Sequence, residues 1–552
     1  MEKKIISPII AEAIVNNWDR MSLTDMGGIN YRYKDVAEMV EKLRIIFDAA
    51  GVQPGDKVAI CGKNSSNWAV TFIACLVSGV TAVPILHEFK PDMIHHLVKH
   101  SDSKLLFVDA SIWENLEEEK LPNLVGALYI SEFGMPLSRS KKLTDTRNNL
   151  NEYFGRKFPY AYEAKDFKIY EGEENDPVII SYTSGSTGMS KGVMLPSRSI
   201  WSNVRFCLDN LHFLNPGDGI VNMLPLAHLY GMVIEMLHPF CKGMHCHFLT
   251  RLPSPKVILK AFADVRPKLI ITVPLILEKI VKGKIFPKLE NPWLRLLLKI
   301  PYVDEKLLSK INDGLMEAFG GQVHELIIGG APLNRDVERL LKRIGFPYTV
   351  GYGMTECGPL ITYAAPKDFV LGTVGKCVSR MELKVDSPDP SQAAGNLWVK
   401  GDNVMLGYYK NPEATAEVMP DDDGWMNTGD LCRIDPEGNV MISGRSKTMI
   451  LGPSGQNIYP EEIEAKLNGL PYVGESLVIE DGGKLVALVY PDVEAMQAKG
   501  LDHAALEKQM KDNLAVLNAD LPAYSQVSRY KLYEEEFEKT PKRSIKRYLY
   551  QR

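Results

Sequence analysis

The sequence predicts an α/β protein: a large N-terminal domain of helix-covered β-sheets, a β-rich subdomain and a small α+β C-terminal domain. Short apolar strands alternate with amphipathic helical segments as far as about Val385. Beyond that point short strands and turns dominate. From about Lys447 the chain has helix and strand signals of its own and is long enough for a small domain. We therefore expect a large domain over residues 1–446 and a small domain over residues 447–552.

The bulk properties fit an ordinary soluble globular protein and disfavour several other classes. A chain of 552 residues is too long for one compact core. The net charge of −5 disfavours a dedicated nucleic-acid-binding protein, so we expect no nucleic-acid partner. Eight cysteines in so long a chain do not form a disulfide scaffold, and a reducing, cytoplasmic location is expected.

The first domain shows strand and helix signals in alternation. The charge-free run 69–86 is near membrane-spanning length, but Gly79 and the β-rich residues after it predict a buried helix followed by a strand. Residues 177–181 are expected to form a strand that enters a glycine-rich loop, and residues 197–211 to form a helix after it. Ligands of parallel sheets lie beyond the carboxyl ends of strands, here the loops after Ser181 and Ile328.

The loop 182–192 has the composition of a phosphate-binding loop. It contains three glycines, five serine or threonine hydroxyls and Lys191, all suited to donating hydrogen bonds to an anion. It is not a Walker loop, because Ser190 rather than glycine precedes the lysine. On composition alone a solvated surface loop stays an alternative.

Four further motifs follow in order. Residues 328–333 form a strand and a tight turn on which a flat ring could lie. Residues 350–356 place Tyr352 between two glycines, with Thr355 and Glu356 just beyond. Residues 424–430 end in Asp430, a carboxylate suited to a ribose diol, and residues 444–447 begin fourteen residues after Asp430. Taken singly, Tyr352 could be a core aromatic and Asp430 a turn residue.

Together these motifs resemble the adenylate-forming superfamily of acyl-CoA synthetases, luciferases and adenylation domains. The resemblance extends over nearly the whole chain and is greatest to bacterial long-chain fatty acid–CoA ligases, through residues 224–228, 273–280 and 403–409. It implies a ligase that uses ATP, Mg²⁺ and coenzyme A to activate a fatty acid. The acid would form an acyl-adenylate with release of pyrophosphate, and coenzyme A would then displace AMP while a mobile small domain turns between the two steps.

The resemblance also implies a role for individual residues. It assigns the β- and γ-phosphates to Thr183, Ser184, Gly185, Ser186, Thr187, Gly188 and Lys191, and a magnesium ion to Glu356 and Thr187. It assigns the adenine to Gly330, Ala331, Pro332 and Tyr352, the α-phosphate to Thr355, and the ribose to Asp430 and Arg445. It places His228 at the wall between the acyl and nucleotide sites, Lys447 at the hinge, and Gly455 beside the pantetheine arm of coenzyme A.

The C-terminal end departs from the family pattern. Ser544 stands where the family has its terminal catalytic lysine, and a serine cannot supply positive charge. We expect Lys542 to replace it, with Lys546 as the alternative. Two other functions stay open: loading of an acyl carrier protein, and adenylate binding with weak catalysis. Membrane contact at the periphery and a monomeric or homodimeric state are left open.

Two other groups of residues receive structural interpretations. The histidines and cysteines of residues 238–247 could suggest zinc, but residues 244–249 fit a strand with His245 and His247 on one face. Residues 226–232 contain no acid that could bind an amino group, which disfavours amino-acid substrates. Glu235 is expected to be structural.

Overall fold

The computed structural model confirms the predicted class of fold. It describes residues 3–184, 190–250, 253–284, 303–421, 423–451, 457–522, 525–539 and 545–550. A large N-terminal part of helix-covered sheets is followed by a β-rich part and a small α+β part.

An eight-stranded sheet forms the centre of the large part. Five neighbouring strands in its middle are parallel, and burial on both faces explains why Val58, Ala59 and Ile60 are consecutive apolar residues with no solvent exposure. The strands, in spatial order, are Gly407–Tyr408, Ser190–Pro196, Pro177–Ser184, Thr81–Ile85, Lys57–Cys61, Ser103–Val108, Gly126–Tyr129 and Leu137–Ser138.

Two smaller sheets complete the large part. A four-stranded sheet contains Gly219–Asn222, His245–Phe248, Met21–Asp25 and Asn30–Arg32. A parallel three-stranded sheet contains Leu269–Thr272, Glu325–Ile328 and Tyr348–Val350, with its own apolar core against the surrounding helices. The carboxyl ends of this second sheet lead directly into the motifs at Gly329 and Gly351.

Helices cover these sheets on both faces. The α-helices of this part are Ile6–Asn16, Tyr33–Ala49, Ser66–Val77, Pro91–His100, Ala110–Trp113, Lys141–Asn148, Leu150–Lys157, Ser197–Asn210, His238–Cys241, Pro255–Val265, Pro274–Lys284, Val303–Ala318 and Arg335–Ile344. A π-helix spans Tyr230–Leu237, and short 3₁₀ turns span Glu118–Lys120, Ala164–Asp166 and Thr355–Cys357.

The β-rich part lies between the parallel sheets and the C-terminal part. One three-stranded sheet contains Tyr352–Gly353, Leu360–Tyr363 and Lys376–Cys377. An antiparallel four-stranded sheet contains Met381–Asp386, Gly395–Gly401, Met426–Ile434 and Val440–Arg445. One helix, Pro412–Val418, begins where the Asn411 side chain accepts a hydrogen bond from the Ala414 N–H.

The C-terminal part has two apolar clusters of its own, consisting of residues from Ile450 onward. Its strands are Ile450–Leu451, Asn457–Ile458, Val473–Asp481, Lys484–Pro491 and Arg529–Leu532. Its helices are Pro460–Leu467, Val493–Lys499 and His503–Ala519, with 3₁₀ turns at Ser446–Thr448 and Arg547–Leu549.

Two expectations from the sequence can be compared directly with these elements. The run 69–86 does contain the end of a helix, Ser66–Val77, and then a strand, Thr81–Ile85. Across the described ranges, every helix is too short or too polar to cross a bilayer. The expected strand–loop–helix unit around residues 177–211 was wrong in one respect. A second strand, Ser190–Pro196, pairs antiparallel with the first before the helix Ser197–Asn210 begins.

Candidate active site

The described residues on either side of the glycine-rich loop form the two strands of a β-hairpin. Thr183 and Lys191 are directly opposite each other in the two strands, and the Thr183 hydroxyl lies 3.5 Å from the Lys191 carbonyl oxygen. The hairpin thus fixes both ends of the loop on the central sheet. Four of the predicted phosphate-binding residues lie outside the described residues, namely Gly185, Ser186, Thr187 and Gly188. The side chain of Ser184 also lies outside them.

Lys191 lies in a cluster of charged and aromatic side chains. Its ammonium is 4.8 Å from the centre of the Tyr408 ring, a favourable cation–π distance, and 3.8 Å from Glu417 Oε2. Glu417 Oε1 also accepts a hydrogen bond from Lys447 Nζ at 2.9 Å. Two lysines share one carboxylate, which leaves a net positive charge suited to a polyphosphate.

Glu356 lies beside this cluster. It follows Thr355 in a 3₁₀ turn, and it is 9% exposed. Tyr408 Oη donates a hydrogen bond to Glu356 Oε1 at 2.9 Å, and the Glu356 backbone carbonyl accepts one from Met405. An oriented, nearly buried carboxylate is the ligand type that Mg²⁺ prefers, and Glu356 therefore fits the metal role.

The predicted ribose and adenine residues meet at one place. Asp430 and Arg445 are directly opposite in neighbouring antiparallel strands, with Arg445 Nε 3.2 Å from Asp430 Oδ1. Tyr352 Oη donates a hydrogen bond to Asp430 Oδ2 at 2.6 Å. Tyr352 and Asp430 are 78 residues apart in sequence but are joined by a hydrogen bond in the fold. A shared nucleoside site requires such proximity.

Burial controls the electrostatics of this triad. Asp430 is 6% exposed, and desolvation raises its pKa above the ordinary value, against the lowering effects of Arg445 and Tyr352. Burial raises the pKa of Tyr352 most, and the negative charge of Asp430 raises it further. The phenol therefore keeps its proton and donates the hydrogen bond. The pKa of Arg445 is raised mainly by Asp430, and Glu356 contributes to that increase. The ribose triad and the predicted metal carboxylate therefore lie within electrostatic reach of each other.

The predicted adenine wall lies at the carboxyl ends of two adjacent parallel strands. Gly330 follows the strand Glu325–Ile328, and Tyr352 follows the strand Tyr348–Val350, with the Gly351 N–H bonded to the Ile328 carbonyl at 2.9 Å. Gly330 has φ +86°, in the left-handed region that favours glycine. Gly330, Ala331 and Pro332 are exposed. They form an accessible strip of backbone.

Tyr230 supports this wall from behind. Its hydroxyl donates toward the Ile327 carbonyl at 3.2 Å and lies 3.4 Å from that of Thr272. A Cβ atom at position 329 would lie 3.1 Å from Tyr230 Cζ, so the glycine permits close approach of the ring. Tyr230 begins the π-helix, a type of helix that is frequent at functional sites.

His228 lies in the turn just before the π-helix. Its N–H donates to the Pro225 carbonyl at 3.0 Å, and the residue is partly exposed. Glu235, within the π-helix, is fully buried and accepts hydrogen bonds from the N–H groups of Met223 and Leu224 at 3.2 and 3.0 Å. Burial raises its pKa well above the ordinary value. These bonds join the π-helix to a strand end, in agreement with a structural role.

His245 and His247 lie on one face of the strand His245–Phe248, as expected. Their ring centres are 3.9 Å apart, and His245 Nε2 lies 2.7 Å from Thr24 Oγ1. Within the described ranges, no three residues among histidines, cysteines, aspartates and glutamates are grouped as a metal site would need.

Three predicted residues of the small domain lie outside the described residues: Gly455, Lys542 and Ser544. Lys546, the alternative to Lys542, is described, and its ammonium is 2.7 Å from Glu538. Lys447, the predicted hinge residue, belongs to the described part of the chain, and its ammonium contacts Glu417.

Sequence reasoning missed three residues of this site: Tyr230, Tyr408 and Glu417. Tyr408 lies in the stretch 403–409 that carried the family resemblance, and Tyr230 comes two residues after His228. Their positions in or near these motifs could have identified both tyrosines as site residues, although the sequence does not show which residues they contact. Nothing in the sequence distinguishes Glu417 as a site residue, because glutamates are common on short exposed helices.

Comparison with known proteins decides the family. The model of the AMP-binding enzyme family matches residues 10–409, and that of the AMP-binding enzyme C-terminal domain matches residues 447–552. The chain belongs to the AMP-binding enzyme family. The resemblance inferred from the motifs is thus confirmed.

Curated relatives of this AMP-binding enzyme are acyl-CoA synthetases and ligases. Long chain acyl-CoA synthetase 3 of Arabidopsis thaliana is 28% identical over 78% of this chain and 68% of its own length. Long-chain-fatty-acid–CoA ligase FadD15 of Mycobacterium bovis is 26% identical over 84% and 77%. Acyl-CoA ligase sidI of Aspergillus fumigatus is 29% identical over 82% and 74%.

Solved structures share the fold. ATP-bound MatB from Rhodopseudomonas palustris superimposes with a TM-score of 0.76 at 22% identity, covering 100% of this chain and 98% of that one. The anthranilate CoA ligase AuaEII in complex with anthranoyl-AMP gives a TM-score of 0.79 at 19% identity, covering 99% and 96%. At these identities the likeness establishes the fold.

Proposed function

We propose that this AMP-binding enzyme is an ATP-dependent fatty acid–CoA ligase acting on long chains. The observation that carries the proposal is the hydrogen-bonded triad of Tyr352, Asp430 and Arg445, within electrostatic reach of Glu356. A nucleoside held at the triad would direct its phosphates toward Glu356 and Lys191. The long-chain acyl names of the relatives at 26–28% identity support the substrate class.

In the first step a carboxylate oxygen of the fatty acid attacks the α-phosphorus of ATP. A new P–O bond forms, the bond between the α-phosphorus and the bridging oxygen breaks, and pyrophosphate leaves. Lys191 and the donors of the hairpin loop would bind the β- and γ-phosphates, and Thr355 would contact the α-phosphate. Glu356 and Thr187 would hold Mg²⁺, which would neutralise charge on the phosphates.

In the second step the thiolate of coenzyme A attacks the acyl carbonyl. A C–S bond forms, the C–O bond to the phosphate breaks, and AMP leaves. Gly455 would leave room for the pantetheine arm, and His228 would line the wall between acyl group and nucleotide. Lys542 would supply the positive charge that Ser544 cannot, and rotation at Lys447 would exchange the two states of the small domain.

We also propose a cytoplasmic, reducing location for this enzyme. Its eight cysteines are all free thiols, and seven of them are buried. Burial raises the pKa of Cys207 to about 12 and that of Cys377 to about 11, so both stay neutral thiols at physiological pH.

The test is an AMP-release assay with saturated acids from acetate to stearate, with and without coenzyme A. We expect AMP, pyrophosphate and acyl-CoA, with the highest kcat/KM for long chains. ADP formation would refute the proposal. Thioester formation only on an acyl carrier protein would favour the carrier-loading function. ATP binding without AMP release, even with coenzyme A, would favour the weak adenylate-binding protein that Ser544 suggests.

A further inference from the structure

Glu417 connects two lysines that belong to different parts of the proposed mechanism. It lies in the last turn of the helix Pro412–Val418. Its Oε1 atom is 2.9 Å from Lys447 Nζ, and its Oε2 atom is 3.8 Å from Lys191 Nζ. One carboxylate therefore contacts both the proposed phosphate-binding lysine and the proposed hinge lysine.

The contacts continue from Glu417 to the proposed metal site. The ammonium of Lys191 lies over the ring of Tyr408 at 4.8 Å, and the hydroxyl of that ring bonds to Glu356 at 2.9 Å. A change in the position of Lys191 would therefore alter its contact with Glu417 and its contact with Tyr408, which is hydrogen-bonded to Glu356.

These ion pairs are weak enough to be exchanged. The side chain of Glu417 is 54% exposed and that of Lys447 is 65% exposed, and water screens pairs of this kind strongly. Lys447 first, and Lys191 in addition, lower the pKa of Glu417, so the carboxylate is ionised at physiological pH. A triphosphate that binds Lys191 would bring several negative charges close to Glu417 and repel it.

We propose that Glu417 is a positioning residue that holds Lys191 and Lys447 in the nucleotide-free enzyme and releases both when the β- and γ-phosphates of ATP reach Lys191. The inference rests on the proposed roles of these two lysines. It makes ATP itself the signal that frees the hinge for the domain movement. AMP lacks the outer phosphates and does not displace the carboxylate.

The first test is nucleotide affinity of the full-length protein. Glu417→Gln keeps the shape of the side chain but removes its charge, and Glu413→Gln removes the same charge one turn earlier on the same helix, where the residue is exposed. We expect Glu417→Gln to bind the Mg²⁺ complex of α,β-methylene-ATP about threefold more tightly than wild type. AMP affinity should be unchanged in both variants, and Glu413→Gln should match wild type for both nucleotides.

The second test measures the hinge. Trypsin cleaves after lysine, so the initial rate of cleavage at Lys447 reports how free that side chain is. In wild type, α,β-methylene-ATP should accelerate this cleavage, whereas AMP should not. In Glu417→Gln the rate should already be high without nucleotide and should not rise further.

Failure of this inference can be separated from failure of the proposed function. If Glu417→Gln and Glu413→Gln bind α,β-methylene-ATP equally well, or if that nucleotide leaves cleavage at Lys447 unchanged in wild type, Glu417 is not the coupling residue. If wild type binds neither α,β-methylene-ATP nor AMP, the proposed function is wrong and this inference falls with it.

Discussion

At the scale of single residues, the proposed nucleoside site depends on hydrogen bonds between side chains that are distant in sequence. Tyr352 combines an aromatic face with a hydroxyl that orients Asp430, and Arg445 holds the other oxygen of that carboxylate. A carboxylate oriented from two sides can accept hydrogen bonds from a ribose diol without reorganising.

Removal of one bond in this triad should weaken ATP binding without affecting folding seriously. Tyr352→Phe keeps the stacking ring but leaves Asp430 oriented by Arg445 alone. Because a hydrogen bond to a charged group contributes about 1.5–3 kcal/mol, we expect KM for ATP to rise about tenfold or more. Steady-state kinetics with fatty acid and coenzyme A in excess would measure it.

A matched control exists for this substitution. Tyr363 also donates to a carboxylate, Glu325 Oε1 at 2.7 Å, at the amino end of the strand whose carboxyl end leads to Gly329. Tyr363→Phe should lower the melting temperature but leave KM for ATP unchanged. An equal rise of KM in both variants would show that Tyr352 acts only through stability.

Glu325 should make stability depend on pH. Burial raises its pKa to about 7, against a smaller lowering effect of Tyr363. The unfolded chain loses this proton near pH 4.3, so between about pH 4.3 and 7 only the folded state keeps it. The free energy of unfolding therefore falls as pH rises through this window, by up to about 4 kcal/mol, and is level above it.

Glu325→Gln should remove this part of the dependence. Gln can still accept the Tyr363 hydrogen bond but does not ionise. Urea unfolding at pH 5 and pH 8 should show a smaller loss of stability at the higher pH than in wild type. Burial also raises the pKa of Glu464 to about 7, so part of the pH dependence of stability will remain in the variant. An identical slope in variant and wild type would contradict the assignment.

At the scale of elements, short strands and turns place the reacting groups. The strand Tyr352–Gly353 pairs antiparallel with Leu360–Tyr363 and carries the proposed stacking ring. A Cβ atom at Gly353 would lie 2.0 Å from the Pro359 carbonyl oxygen, so only glycine allows the two segments to approach this closely.

Gly353→Ala should disturb this element and the nucleotide together. We expect a loss of about 1–3 kcal/mol in the free energy of unfolding and weaker ATP binding, because the adjacent Tyr352 must shift. Gly314→Ala, in the helix Val303–Ala318 with no atom within 4 Å of the new Cβ, should be neutral or stabilising by up to about 1 kcal/mol. Gly353→Ala with wild-type stability and ATP affinity would rule out this steric explanation.

The elements also show what sequence could and could not provide. Parallel strands were predictable because burial on both faces requires continuous apolar runs such as 57–61. The hairpin at residues 177–196 was not, since Gly192 and Lys191 obscure the strand pattern of its second arm, and pairing is a tertiary property. The contact of Tyr408 with Glu356 spans 52 residues and has no local signature either.

At the scale of the whole molecule, two parts with separate cores must cooperate. The described C-terminal clusters contain residues from Ile450 onward, and the largest cluster contains residues of the N-terminal and β-rich parts. We propose that the small part moves as a unit about residues near Lys447, as the two half-reactions would require. In this proposal, the residue that replaces the family's terminal lysine would determine whether arrival of the small part promotes adenylation.

Lys542 and Lys546 can be distinguished by separating the half-reactions. Lys542→Ala should slow formation of the acyl-adenylate about 100-fold, because the positive charge that we propose for the reacting phosphate is lost. Reaction of preformed acyl-adenylate with coenzyme A should be nearly unaffected. Lys546→Ala should retain most adenylation activity, since that lysine pairs with Glu538. The reverse pattern would assign the role to Lys546.

The most direct test of adenylation at the α-phosphorus is an isotope transfer. Fatty acid labelled with ¹⁸O in both carboxylate oxygens is incubated with wild-type protein, ATP, Mg²⁺ and coenzyme A, and the nucleotide product is examined by mass spectrometry. Attack of the carboxylate on the α-phosphorus predicts AMP that carries one ¹⁸O atom and pyrophosphate that carries none. Unlabelled AMP, or ADP with labelled inorganic phosphate, would contradict the proposed chemistry.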